Sequence, residues 1–212
     1  MKSVELKNYL KVLKDIMAEY KVYLIELDSV VGDGDLGLTM SDGFLAAYNA
    51  IADDEERDLG KLLYKAGKAM SVAVPSTMGT LMASGFMQAG KELRGNIELQ
   101  DREAYRLFQE YETGVANRGK AKVGEKTFLD GIAPAVNAMI QSGQRGESIK
   151  EIAKKGAEAA KTGFENTTTM KAVHGRAATR GEESVRLKDP GAAVAMLMFE
   201  AFEMSLVEVS GK

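Results

Sequence analysis

The stretch Leu6-Lys7-Asn8-Tyr9-Leu10-Lys11-Val12-Leu13-Lys14-Asp15-Ile16-Met17-Ala18-Glu19-Tyr20-Lys21-Val22-Tyr23-Leu24-Ile25-Glu26-Leu27 sets the fold class. Within it Leu6, Leu10, Leu13, Met17, Tyr20, Leu24 and Leu27 recur at alternating steps of four and three. That spacing lays a single apolar stripe along one long helix. Asp28 and the loop Gly32-Asp33-Gly34-Asp35 end it, because Gly frees the backbone and Asp competes for local hydrogen bonds. Further helical segments are expected at about Thr39–Ile51, at Asp58–Ser71 with Asp58 as N-cap, and at Gly79–Leu93 after the Pro75-Ser76-Thr77 break. Asp101 caps a fifth through Tyr111, a sixth spans Glu125–Gln141, and Ser148-Ile149-Lys150-Glu151 has the capping-box spacing for a seventh. The last helix reads most clearly: Asp189 as N-cap, Pro190 at the first helical position, then Ala192–Met204. Its segment Ala192–Phe199 is apolar on every face and belongs at the centre of the packing, its Met residues filling the core. The expectation is an all-α chain of eight helices in one domain, residues 1–212, without a Pro- or Ser-rich linker.

Composition agrees and excludes several chemistries. The chain has 212 residues, 45% hydrophobic but only 7% aromatic and without Trp, so its core must draw mainly on Ala, Leu, Val and Met. Zero Cys removes disulfides, thiolate nucleophiles and thiolate metal sites. One His removes a multi-histidine zinc centre, so any metal is a hard cation on carboxylates. A formal charge of -3 gives no general attraction to nucleic acid or an anionic membrane. No apolar run suggests a membrane span, and Lys2, Glu5, Lys7, Lys11, Lys14 and Asp15 leave no signal-peptide apolar region. A soluble, cytoplasmic protein is expected.

The chemistry concentrates in loops. Asp28, Asp33 and Asp35 brought together repel one another unless a cation compensates, and oxygen ligands suit Mg²⁺ or Ca²⁺. The EF-hand spacing is absent, and a solvated Asp-Gly turn between helices is the plain alternative. Three other loops each precede a helix whose N-terminus can meet an anion. Ser76-Thr77-Met78-Gly79-Thr80 offers hydroxyls and a Gly, or simple capping. Gly119 through Thr127 carries the basic and hydroxyl pair Lys126-Thr127 at a helix start, though without the Walker A spacing. Gly175-Arg176-Ala177 and Asp189-Pro190-Gly191 flank a charged loop, where Arg176 can meet a phosphate or pair with Glu182 or Glu183. His174 reads as a loop residue.

Taken in order, three motifs carry a resemblance. They are Asp28…Gly32-Asp33-Gly34-Asp35…Gly37, then Gly124-x-Lys126-Thr127-x-x-Asp130, then Gly175-Arg176-Ala177…Gly181-Glu182…Asp189-Pro190-Gly191-Ala192. Over essentially its whole length the chain resembles the L subunit of dihydroxyacetone kinase, the nucleotide-binding DhaL-type family. The resemblance implies a closed barrel of eight antiparallel amphipathic helices with a nucleotide, ADP or ATP, held in the loops at one end. By the same resemblance Asp28, Asp33 and Asp35 hold two Mg²⁺ ions, and Leu36, Gly37, Leu38 and Thr39 face the phosphates. Thr77 and Met78 fall at a second phosphate-contacting segment, Gly119 and Phe128 border the adenine, and Arg176 with Asp189, Pro190 and Gly191 closes the site. Two positions depart from the family: Leu36 stands where it usually has His, and Pro75-Ser76-Thr77-Met78-Gly79 replaces a loop richer in Gly and Ser.

The implied reaction is phosphoryl transfer to dihydroxyacetone or a related small ketose held on a separate K subunit. Asp28, Asp33, Asp35 and Arg176 supply its electrostatics. A free L chain leans toward the phosphoenolpyruvate-dependent arrangement, in which a phosphotransferase-system protein recharges bound ADP. Direct ATP use, a nucleotide-sensing module acting on a transcription activator, and a helical metal-binding protein without transfer chemistry are the rival readings. A homodimer is left open.

Overall fold

In a computed structural model, which describes residues 1–208, the opening stripe folds as two helices, α1 (Ser3–Glu19) and α2 (Lys21–Val31). Tyr20 (φ -85°, ψ 9°) leaves the helical path between them. The hydrogen bonds Tyr20 N–H to Ile16 and Leu24 N–H to Tyr20 still bridge the junction, so the axis bends with no loop. The side-chain period runs on across the bend, which is why the stripe reads as one helix. α1 packs on the helices Leu36–Ile51 and Pro190–Glu208, whereas α2 leans on the first of these.

The remaining helices are α3 (Leu36–Ile51), α4 (Leu59–Ala73), α5 (Thr77–Glu92), α6 (Tyr105–Gly119), α7 (Phe128–Gln144), α8 (Ile149–Asn166) and α9 (Pro190–Glu208). The caps at Asp58, Ser76 and Ser148 each accept a backbone N–H of the following turn, and Asp189 accepts that of Ala192 at 2.7 Å. Three starts differ from the sequence reading, α3 opening at Leu36 rather than at about Thr39. Gln100 and Glu103 close a capping box around a short 3-10 turn at Asp101–Glu103, so α6 begins only at Tyr105. α7 begins at Phe128, because Thr127 caps it and buried Asp130 returns a carboxylate oxygen to the Thr127 N–H at 2.7 Å.

Helix packing forms a circuit: α1 on α3, then α4, α5, α6, α7, α8 and α9, which returns to α1. Ala, Leu, Val and Met supply most of the core, yet its middle is aromatic. All seven Phe are buried. Edge-to-face and tilted contacts link Phe44, Phe86, Tyr111 and Phe128 in one line, and Tyr9, Phe108, Phe199 and Phe202 in a cluster. α9 is buried along most of its described face, as its apolar sequence requires. No helix among the described residues is long and apolar enough to cross a membrane.

Candidate functional site

The connections α2–α3, α4–α5, α6–α7 and α8–α9 all line one cavity of about 780 Å³. From α2 onward every second connection therefore lies at the same end of the helical circuit, and successive helices run in opposite directions.

The first connection carries the acids. Carboxylate oxygens of Asp28, Asp33 and Asp35 lie within 4.8 Å of one another. Asp28, in the last turn of α2, also accepts the Leu36 N–H at 3.3 Å, which ties it to the start of α3. Asp35 precedes α3 but makes no capping bond, leaving its carboxylate to face the other two. Burial pushes the Asp35 carboxyl up; Asp33 and Asp28 add to this, and Arg176 opposes it. Like charges held together also repel, and an all-oxygen donor set of this kind fits a hard divalent cation. Gly34 (φ 76°) makes the turn that brings Asp33 and Asp35 together. Gly37 is required by packing: a Cβ there would lie 2.1 Å from the Lys21 carbonyl oxygen.

Arg176 reaches across from the α8–α9 connection, its Nη2 2.6 Å from Asp33 Oδ2. Neither Glu182 nor Glu183 is its partner; Glu182 pairs with Lys171 at 2.7 Å. At the α5 entry, Ser76 is occupied as a cap, accepting from Gly79 and donating to Thr39 at 3.4 Å. The neighbouring Thr77 is exposed and lines the cavity. The apolar wall comes from Met78, Leu81, Val115 and Phe128, with Gly119 at the end of α6. Phe128 is backed by Tyr111, so the wall stands on the aromatic core. Asp189 is buried beneath the Pro190-Gly191 turn, and burial raises its carboxyl to about 7 against the bonds donated by Ala192 and Gly191.

Of the residues expected at the site, Asp28, Asp33, Asp35, Leu36, Thr77, Met78, Gly119, Phe128, Arg176, Asp189, Pro190 and Gly191 all line this cavity. Gly37, Leu38 and Thr39 stand behind it: Gly37 packs on α2, Leu38 is exposed, and Thr39 is buried against Ser76. Two further residues enter, His174 and Lys126. His174 lines the cavity and holds Glu125 Oε2 at 2.6 Å, spanning two connections. Lys126 has a left-handed backbone (φ 62°), and its ammonium turns inward to backbone carbonyls, so it is not free to meet an anion as its place at a helix start suggested. No spacing rule foretells either contact, since both partners lie more than forty positions away.

Fold and cavity define an all-helical protein that gathers clustered carboxylates, glycine turns and Arg176 from alternate interhelical connections. The chain belongs to the DAK2 domain family, whose pattern matches residues 30–204. It is 30% identical over 204 residues to the PEP-dependent dihydroxyacetone kinase, ADP-binding subunit DhaL, of Escherichia coli K12, covering 96% of this chain and 97% of that protein. Its fold matches the crystal structure of the dihydroxyacetone kinase of C. freundii in native form, at a TM-score of 0.73 and 20% identity. The same kinase in complex with AMP-PNP and Mg2+ matches at 0.69. Those two alignments cover 94% of this chain but span only 34% and 33% of the C. freundii chain.

Proposed function

We propose that this chain is the ADP- or ATP-binding part of a two-component kinase for dihydroxyacetone or a related small ketose. The sugar is held on a separate K subunit, and the phosphoryl group arrives from phosphoenolpyruvate through a phosphotransferase-system protein. The whole chain acts as one domain in this reading. The observation that carries it is the meeting of Asp28, Asp33 and Asp35 with Arg176 in one cavity.

Asp28, Asp33 and Asp35 would hold magnesium, with two ions the number expected. Magnesium, when bound, neutralises phosphate charge and orients the terminal phosphoryl group. Around that centre the chain's own groups bind and shield. Arg176 leaves Asp33 to meet a phosphate oxygen, while the free first-turn N–H groups of α5 and the Thr77 hydroxyl donate to others. Met78, Leu81, Val115 and Phe128 cover a base and exclude water from it. Leu36 in place of a family His removes one polar group beside the acids, so positioning falls more heavily on Arg176.

The test mixes the chain with a K subunit and dihydroxyacetone, supplying either ATP or phosphoenolpyruvate with the phosphotransferase proteins. Product only with the relay, and ADP co-purifying with the chain, is the expected result. Product from ATP alone replaces the relay with direct kinase action. No product with any K subunit overturns the kinase assignment.

A further inference from the structure

Lys126 is the most enclosed cation among the described residues, with only 2% of its surface exposed. Its ammonium donates to the backbone carbonyls of Thr167 at 2.7 Å, Met170 at 3.2 Å, Ser184 at 2.6 Å and Val185 at 3.2 Å, and also to that of Leu187. An ammonium has three protons, so five acceptors share them and the group acts as a centre of charge. Five carbonyl dipoles aimed at one point repel each other unless a cation stands there. Burial lowers the affinity of the amine for its proton, and nearby Asp189 opposes this.

The five carbonyls belong to the two feet of one excursion. One foot is 167–170, at the end of α8; the other is 184–187, just before α9. Between them the chain carries His174 and Arg176 over the cavity. The buried Ser184 hydroxyl braces the inside, accepting from Ala172 N–H at 3.0 Å and donating to Gly181 at 2.6 Å. Thr167 extends the hold to the next turn, its hydroxyl accepting the Asp189 N–H at 3.1 Å. On either side of Lys126, Glu125 latches His174 and Thr127 caps the helix that begins with Phe128.

We infer that Lys126 is a positioning residue for nucleotide binding: its ammonium is an internal cation that pins both feet of the 167–187 excursion and so holds Arg176 and the Asp189-Pro190-Gly191 turn over the cavity. This rests on the nucleotide-binding reading above, but the hold on the excursion is measurable without nucleotide.

The experiment compares the full-length wild type with Lys126→Met and Lys126→Ala by hydrogen-exchange mass spectrometry, and by titration with ADP and Mg²⁺. In Lys126→Met, amides of 167–189 exchange at least about tenfold faster while α1 to α7 keep their protection, and ADP binds at least about tenfold more weakly, the loss expected for charge-assisted bonds. In Lys126→Ala the emptied carbonyl shell accepts methylammonium or K⁺, which restores protection and affinity; choline does not, and the wild type does not respond. A side chain needed only for packing would show no such rescue. Unchanged exchange at 167–189 in Lys126→Met, or its restoration in Lys126→Ala by choline as well, overturns the inference. If the Met variant does not fold, acetylation of native wild type decides. Lys126 must resist acetic anhydride while surface lysines react, and a reactive Lys126 refutes the enclosed cation. Wild type without ADP affinity overturns the nucleotide reading, and exchange still decides the hold; equal ADP affinity in wild type and Lys126→Met overturns the positioning role alone.

Discussion

Replacing Arg176 by Gln should move two affinities in opposite directions, because one carboxylate serves both. Arg176 Nη2 lies 2.6 Å from Asp33 Oδ2, and the two side chains are 67% and 44% exposed. A pair this open contributes about 0–1 kcal/mol. The melting temperature of Arg176→Gln should therefore fall by no more than about 2–4 °C in a chain of this length. Asp33 cannot serve Arg176 and a divalent ion equally, so the variant should bind bare Mn²⁺ up to about fivefold more tightly, the equivalent of about 1 kcal/mol. Nucleotide moves the other way. A phosphate that loses its charge-assisted bonds to the guanidinium loses about 1.5–3 kcal/mol. Setting against this the pair that no longer has to open leaves about 0.5–3 kcal/mol, or roughly 2- to 150-fold weaker ADP at saturating Mg²⁺. Electron paramagnetic resonance of Mn²⁺ and isothermal titration of ADP read the two values on one preparation. If both weaken together, Arg176 shapes the acid loop and does not compete for it. Unchanged ADP affinity would remove the phosphate from its reach.

Two other outcomes follow from particular contacts. Glu112, on α6, is held at about 7 by burial against an ordinary value of 4.5. Its folded pKa is the higher, so the native state binds the proton more strongly and loses stability as pH rises from about 4.5 to about 7. Glu112→Gln should accordingly melt higher than wild type at pH 8 and equally at pH 4, and the same gain at both would show that charge burial is not the cause. Gly37→Ala puts a Cβ 2.1 Å from the Lys21 carbonyl oxygen and 2.8 Å from Ile25 Cγ1. Against backbone this close the overpacking cost belongs in the upper part of its range, about 2–3 kcal/mol, and outweighs a helix-propensity gain of about 1 kcal/mol. A melting point lower by about 2–8 °C, with weaker Mn²⁺ binding as the acid loop shifts, is expected; an unchanged or raised value would contradict the close approach of α2 and α3.

Much of the helical frame was legible because local rules dictate it. The caps at Asp58, Ser76, Ser148 and Asp189 each need only a side chain and an N–H within three positions. The acid cluster was legible for the same reason, since Asp28, Asp33 and Asp35 lie close in sequence, at the end of one helix and in the connection that follows it. What escaped was either a change of direction or a long reach. The bend at Tyr20 keeps the apolar period intact, so periodicity cannot register it. The entry at Phe128 was hidden because Glu125, Lys126 and Thr127 are good enough helix formers to extend the pattern backward. The aromatic line from Phe44 to Phe128 was invisible to composition, which counts rings but not their positions. Lys126 was the largest surprise: a lysine at a helix entry ordinarily seeks an anion, and here its partners are carbonyls of distant residues.

The return of α9 onto α1 bears on how such a unit is assembled into larger proteins. Asn8 Nδ2 donates to the Ser205 carbonyl at 2.9 Å, and the Tyr9 hydroxyl to that of Met198 at 3.3 Å, so the start of the first helix lies beside the end of the last. The first and last described residues therefore lie at the same pole, away from the acid loop. A chain continuing from that pole need not cross the mouth of the cavity. The same helical circuit can in this way serve as a free-standing component or as one third of a continuous polypeptide, the arrangement of the C. freundii kinase.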